Sequence, residues 1–370
     1  MDFLQDLRGY RGAFGASDGA SDKMKQAIGS WFAGYYDTGC LALPYTIVRK
    51  LTRGILAEYE TACDDPQLAA VLASLPAREA LQLALVGGEC YLKPILGDVP
   101  RWQVVARPDI WVFRRDIHGE PVDVGMAEES VLGNWHYTLL ERRTVDGAGN
   151  LTICNRLFRS ASRGALGREV SLKAHPMYAD LPARYVFPQK LEGVGLVRLR
   201  TPMINCVDGS GEGVSIYAAA MELIRAAEEN ETQLQQEFRN GQSRLVVSRD
   251  LLDRGQLKSD LFVALDDSPD AVGITVFAPQ LREQSYLNRQ QSYLRAVENV
   301  IGLKRGLLSQ VEAVDRTATE ITSSEGEYMV TLQELRLMWE QTAREAVALW
   351  SALTGMQAAP VEIRWGDGVV

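Results

Sequence analysis

No stretch of this chain comes near the roughly 18 consecutive apolar residues that a membrane-spanning helix needs. The first residues, Met1-Asp2-Phe3-Leu4-Gln5-Asp6, lack the basic-then-apolar layout of a signal peptide. Both absences lead to the expectation of a chain made and kept in a cytoplasm. Cysteine is sparse and scattered. Cys40, Cys63, Cys90, Cys154 and Cys206 form no C-x-x-C pair, which argues for buried thiols over a disulfide framework or a zinc site. The only histidines are His118, His136 and His175, none at metal-ligand spacing from another. No metal and no cofactor are expected. Basic charge is also short, the formal net charge being −9. A protein that reads DNA sequence is ordinarily basic, because neutralising phosphates supplies much of its affinity. An acidic chain that handles DNA would repel it more than grip it.

Catalytic signatures are missing too. There is no G-x-S-x-G elbow, no H-E-x-x-H and no kinase set. Gly209-Ser210-Gly211-Glu212-Gly213 precedes a helical pattern, but it matches neither G-x-x-x-x-G-K-[ST] nor G-x-G-x-x-G and reads as a flexible lead into that helix. The acid pairs Asp64-Asp65, Asp266-Asp267 and Glu228-Glu229 sit in turns or on a charged helix face. No enzyme is expected, and without a Walker A sequence the chain does not read as a packaging ATPase.

What is present is an α+β succession in an ordinary composition, 46% hydrophobic and 24% charged. Residues 1–20, rich in Gly, Asp and Ser, read as a flexible arm. Ser21 starts a helix whose stripe holds Met24, Ile28, Trp31 and Phe32. Further helices are expected from Pro44 to about Cys63, from Asp65 to Leu75, and from Ala77 to the stop at Gly87-Gly88. From Glu89 to Asn205 short β-type runs take over, separated by turns such as Asp146-Gly147-Ala148-Gly149-Asn150. A long helix follows Gly213 and runs to about Asn240. A compact insert, 243–279, separates it from a second long helix, Gln280 to Ile301, which stops at Gly302. A third covers about Ser324 to Leu353, and a short strand near Val361 ends the pattern. In the first long helix Glu228, Glu229, Glu231 and Glu237 outweigh the basic residues, either as the solvated face of an amphipathic helix or as one wall of a wet channel.

Several segments, in order, resemble the portal proteins of long-tailed phages and prophages. They are Met24-Lys25-Gln26-Ala27-Ile28-Gly29-Ser30-Trp31 with Tyr35, Leu43-Pro44 running into Ile47-Val48-Arg49-Lys50-Leu51, and Gly87-Gly88 before Tyr91-Leu92-Lys93-Pro94. Pro202-Met203-Ile204-Asn205 leading to Gly213-Val214-Ser215-Ile216-Tyr217 is another, and so is Glu237-Phe238-Arg239-Asn240-Gly241-Gln242-Ser243-Arg244. The most specific is Thr317-Ala318-Thr319-Glu320-Ile321 with Ser323-Ser324-Glu325 behind it. The resemblance spans about residues 21 to 355.

It implies a portal-type fold, repeated as a ring of about twelve subunits. Residues 21–205 would form the wing, helical over 21–88 and β-rich over 89–205. The stem helices would be 206–242 and 280–302, with a small α/β clip at 243–279 between them. A tunnel loop would span 303–322 and a long wing helix 323–355, leaving 356–370 as a C-terminal strand and tail with the crown minimal or absent. The implied role is a channel for double-stranded DNA at one capsid vertex of the virion. The implied partners are copies of itself, DNA passing non-specifically, the large terminase subunit, a head-completion or adaptor protein, and major capsid or scaffolding protein, with no membrane.

Lys304, Arg305, Arg316, Thr317 and Glu320 are the expected tunnel-loop residues, though lysines and arginines there also suit an ordinary charged surface. Arg249, Arg254 and Lys258 are expected to dock partners on the clip. Trp31, Tyr35, Ile216 and Tyr217 are expected at the interface between subunits, within an exposed stretch running from Ile216 to Leu223. The alternative is a head–tail adaptor or minor capsid protein without its own channel, although such a chain is usually shorter and lacks two long helices around an insert.

Overall fold

The computed structural model describes residues 13–14, 19–37, 39–191, 193–241, 244–248, 262–265, 275–277, 280–310, 318–357 and 359–366. The architecture is mixed α/β. Helix α1 (Asp22–Tyr36) begins where the Ser21 hydroxyl accepts from the Met24 amide at 3.1 Å, satisfying an otherwise orphaned donor. Helix α2 (Leu43–Ile55) carries Pro44 in its first turn and buries Ile47, Val48, Leu51 and Ile55 on one stripe. It ends at Ile55, well before the Cys63 expected from the apolar pattern. Glu58 takes a left-handed conformation (φ 52°), and strand β1 (Glu60–Cys63) then pairs antiparallel with the far end of the chain. Asp65 caps α3 (Pro66–Ala73), accepting from the Gln67 and Leu68 amides at 2.8 and 3.0 Å. Helix α4 (Ala77–Gly87) stops at Gly88, whose φ is +82°.

That stop has a packing cause. A Cβ on Gly88 would lie 2.3 Å from the carbonyl carbon of Gly213, and one on Gly213 would lie 2.2 Å from the Gly88 oxygen. Two backbones cross here without side chains between them. The glycines around 209–213 therefore include one that is required by close approach.

Strand β2 (Glu89–Ile95) lies between β3 (Arg101–Ala106) and β10 (Val197–Arg200) in a three-stranded antiparallel sheet. A larger sheet follows the order β4 (Ile110–Arg115), β5 (Pro121–Leu132), β6 (Trp135–Val145), β7 (Leu151–Ser160), β8 (Arg168–Val170), with β9 (Arg184–Val186) beside β7. The β6–β7 turn forms where Asp146 accepts from the Ala148 and Asn150 amides, each at 2.9 Å. Within residues 1–20, expected to be loose, Phe14 is buried against Trp111 and Phe113 at ring distances of 5.3 and 5.4 Å. The Gly19 amide also donates to Val112. These contacts hold Phe14 and Gly19 against the β layer.

The second half is built on three long helices. Helix α5 (Met221–Asn240) starts later than expected, after a 3₁₀ turn over Ala218–Ala220. Residues 214–217 are instead drawn into the core, where the Ile216 amide donates to Leu85. Strands β11 (Arg244–Ser248), β12 (Phe262–Leu265) and β13 (Thr275–Phe277) form a small sheet, β11 pairing parallel with β12 and antiparallel with β13. Helix α6 (Glu283–Ile301) returns beside α5, and α7 (Ala318–Thr354) extends for 37 residues, about 55 Å. Its early start puts Glu320 on a helix and not in the preceding loop. Strand β14 (Val361–Arg364) closes on β1, Cys63 facing Val361.

The main core joins α1–α4 to the roots of α5, α6 and α7 through Met24, Trp31, Leu85, Tyr217, Leu335 and Trp339. A second cluster, including Tyr91, Val112, Val124 and Leu151, fills the β layer. Among the described residues no single helix is long and apolar enough to cross a membrane.

Candidate functional site

Helices α5 and α6 run antiparallel, so the insert sits at one end and the main core at the other. At 20 and 19 residues each is about 30 Å long. At the insert end Arg282 grips Glu237 with two nitrogens, at 2.9 and 3.1 Å. In the middle the Asn230 side-chain amide donates to Gln290 Oε1 at 2.8 Å and to the Tyr286 carbonyl at 3.1 Å, and both amide residues are buried. A buried polar pair in this seam favours one register, because a slip would strand the two hydrogen bonds that Asn230 donates. At the root, Leu294, Val297 and Ile301 join the main core with Ile224 and Ala227.

The chain leaves α6 through Gly302 (φ 74°), where a Cβ would strike Thr331 Oγ1 at 2.4 Å. The following loop wraps around one side chain. Glu298, only 1% exposed, accepts from the amides of Gly306, Leu308 and Ser309 at 3.1, 2.6 and 2.9 Å, and from the Ser309 hydroxyl at 2.7 Å. Lys50 on α2 donates to the Leu307 carbonyl, and the Gln310 amide donates to Gln291 at 2.7 Å. The first half of the loop is thus pinned to α6 and α2. Lys304 pairs with Glu325 at 2.7 Å, both ends partly open to solvent, while Arg305 is exposed. Arg316 and Thr317 lie outside the described residues, and so do Arg249, Arg254 and Lys258 in the insert. Glu320 is described only in its backbone.

The four acids of α5, read as a solvated helix face or as one wall of a channel, have different surroundings. Glu228 accepts from the Cys40 and Leu41 amides at 3.0 and 3.1 Å, anchoring the α1–α2 connection to α5. Glu237 is held by Arg282. Glu229 and Glu231 accept amide hydrogen bonds from Gln233 and Gln235, one turn on.

The expected subunit interface needs correcting. Trp31, Ile216 and Tyr217 are buried inside a single chain, and the Tyr217 hydroxyl donates to the Trp31 carbonyl at 2.9 Å. Ile216 to Tyr217 is core, not exposed surface, because it packs behind α4. Tyr35 is half-buried against the rings of Tyr36 and Tyr45.

A buried ion cluster has no counterpart in the sequence reading. Glu89 at the start of β2 meets Arg107 at 3.1 Å, Arg198 at 2.5 Å and Arg115 at 3.4 Å. Glu212 meets Arg107 and Arg115 at 2.7 Å each. Burial alone would raise the pKa of Glu89, but Arg198, Arg107 and Arg115 hold it at about 2. The cluster fastens both sheets to the loop that leads into α5. In the β layer Glu141 sits between Arg143 and Lys93, at 2.6 Å from each. Burial again acts upward, yet its pKa is also held at about 2 by those cations. One signal for such clusters is a lone acid inside an apolar strand, as in Gly88-Glu89-Cys90-Tyr91-Leu92. Among the described residues no group of three or more His, Cys, Asp or Glu side chains is placed to hold a metal ion.

No protein-family model matches this sequence, and no curated protein does. Among solved structures the chain is similar to one from "Neck of native GTA particle computed with C12 symmetry", with a TM-score of 0.55 at 12% identity. The match covers 98% of this chain and 90% of that one, so a fold is shared over nearly the whole length.

Proposed function

We propose that this chain is a portal protein: one subunit of a twelve-membered ring at a capsid vertex, through which double-stranded DNA is packaged and later ejected. The observation that carries the reading is the helix pair α5–α6. It brackets a small three-stranded sheet at one end and at the other feeds a loop pinned by Glu298. The neighbour's neck location and twelve-fold symmetry favour the same reading. In these terms α5 and α6 are the stem, 243–279 the clip that docks the terminase and head-completion proteins, and 303–317 the tunnel loop. Residues 21–205 and α7 make up the wing, and no chemistry is assigned to any of them. The net charge of −9 per subunit suits a conduit. Acidic walls keep the duplex from sticking, while a few cations such as Lys304 and Arg305 touch phosphates without reading bases.

A head–tail adaptor without its own channel fits the neck comparison equally well. The two readings separate in the stage at which loss of the protein acts. Without a portal no DNA enters the head, whereas without an adaptor filled heads form and fail to gain tails. Imaging and light scattering of the purified chain test the ring itself. The expected particle has an axial hole and a mass of roughly 490 kDa, twelve times the 40.9 kDa subunit. A monomer at every salt concentration would overturn the proposal.

A further inference from the structure

Helix α7 lies between two surfaces. Toward α2, Arg336 donates to the Gly54 carbonyl at 3.2 Å, and Gly54 packs against Tyr328 and Leu332. On the opposite side of α7, half a helical turn round, Leu337, Gln341 and Glu345 form an i, i+4, i+8 stripe. This stripe forms one wall of an open cleft of about 620 Å³, whose other wall is β10 and the segment after it. Three carboxylates line the cleft, Glu120, Glu334 and Glu345. Of its two guanidiniums, Arg198 pairs with Glu89 and, at 3.4 Å, with Glu120, which leaves Glu334 and Glu345 against Arg200. Apolar side chains stand about it. Leu337 is 58% exposed, and Ile204, two residues beyond the lining Pro202, is 89% exposed. Leu337 and Met338 add apolar surface to a cleft that otherwise carries charge.

The outer face of α2 has the complementary chemistry. Arg49 and Arg53 are exposed there, with the Arg49 guanidinium 5.9 Å over the Tyr45 ring. The Tyr45 ring lies tilted against that of Tyr35, and Tyr36 is 69% exposed. This basic, aromatic face and the acidic cleft thus lie on opposite sides of the α2–α7 layer. A closed ring of identical subunits needs that relation, because each copy must present one patch forward and a different, matching patch backward.

We propose that the Tyr45–Arg49–Arg53 face of one copy docks in this cleft of the next, against Glu334 and Glu345. The inference rests on the ring reading above and names the surfaces that build the ring. Both patches are exposed, so their attraction is salt-sensitive.

The test uses the full chain as wild type and as two variants, Arg49→Glu/Arg53→Glu and Glu334→Arg/Glu345→Arg, each checked for native circular dichroism. Mass is read by size-exclusion chromatography with light scattering. The expected result is a ring for wild type and at least a tenfold loss of assembled fraction for each variant alone, leaving the 40.9 kDa subunit. An equimolar mixture of the two variants then recovers rings, because alternating copies restore opposite charge at every interface. Rings formed undiminished by both variants would overturn this interface and leave the ring reading standing. Failure of the mixture to recover rings would show that these two patches do not meet. A wild type that stays monomeric at every salt concentration would overturn the ring reading and this inference with it.

Discussion

The Ser309 hydroxyl donates to the buried carboxylate of Glu298 at 2.7 Å, across eleven residues of chain. With three backbone amides on the same carboxylate, this contact makes one side chain the template for the loop after α6. Glu298→Ala would leave those donors unpaired in a site closed to water. A destabilisation of about 2–4 kcal/mol is expected, read as a lowered melting temperature. Hydrogen exchange should rise first at Gly306, Leu308 and Ser309. Unchanged protection of those amides would refute the template role.

The buried acids predict how stability follows pH. Glu89 and Glu141 are both held at about 2 when folded, against an ordinary value of 4.5. Between those values the unfolded chain binds more protons than the folded one. Their stabilisation is therefore complete above about pH 4.5 and is lost as pH falls toward 2. For Glu141 the loss is on the order of 3 kcal/mol. Urea midpoints measured from pH 7 down to pH 3 should fall steeply, and Glu141→Gln should flatten part of that slope while lowering the midpoint at pH 7.

Glycines that look alike in sequence should respond differently to alanine. At Gly88 the new methyl would meet the Gly213 backbone at 2.3 Å. A cost above about 3 kcal/mol is expected, with loss of soluble protein. At Gly209, φ is +71° but the space is open, so only conformational strain of about 1 kcal/mol remains. Thermal melts of the two variants decide the matter, and equal effects would contradict the crossing.

The proposed conduit makes a functional prediction. Reversing Lys304 and Arg305 to glutamate breaks the 2.7 Å pair with Glu325 and puts two more negative charges beside the loop. Rings should still assemble, while the amount of DNA packaged or retained per particle falls several-fold. Full DNA content in particles bearing both substitutions would remove these residues from the channel.

Much of the helical framework was legible in the sequence because its signals are local. Asp65-Pro66 announces the start of α3, and Gly87-Gly88 the end of α4. The end of α2 was not, because apolar spacing continues to Cys63 and only pairing with β14, some 300 residues away, makes a strand of 60–63. Ile216 and Tyr217 were expected on an exposed stretch at the interface between subunits. What buries them is the underside of α4, which no local pattern reveals. Of the ion cluster only Glu89, a lone acid in an apolar run, carried a local signal, and its partners did not. Glu89, Arg107, Arg115, Arg198 and Glu212 are spread over more than a hundred residues and meet only once both sheets are in place.

The crossing of Gly88 and Gly213 has a mechanical side. Thr201 clasps it, its Oγ1 lying 3.0 Å from the Gly88 oxygen and 2.7 Å from that of Val214. At the crossing point itself there is no side chain to bend or swing, only main chain on main chain. A tug along the helix pair would pass into the four-helix layer as through a rigid coupling, with almost no slack to absorb it.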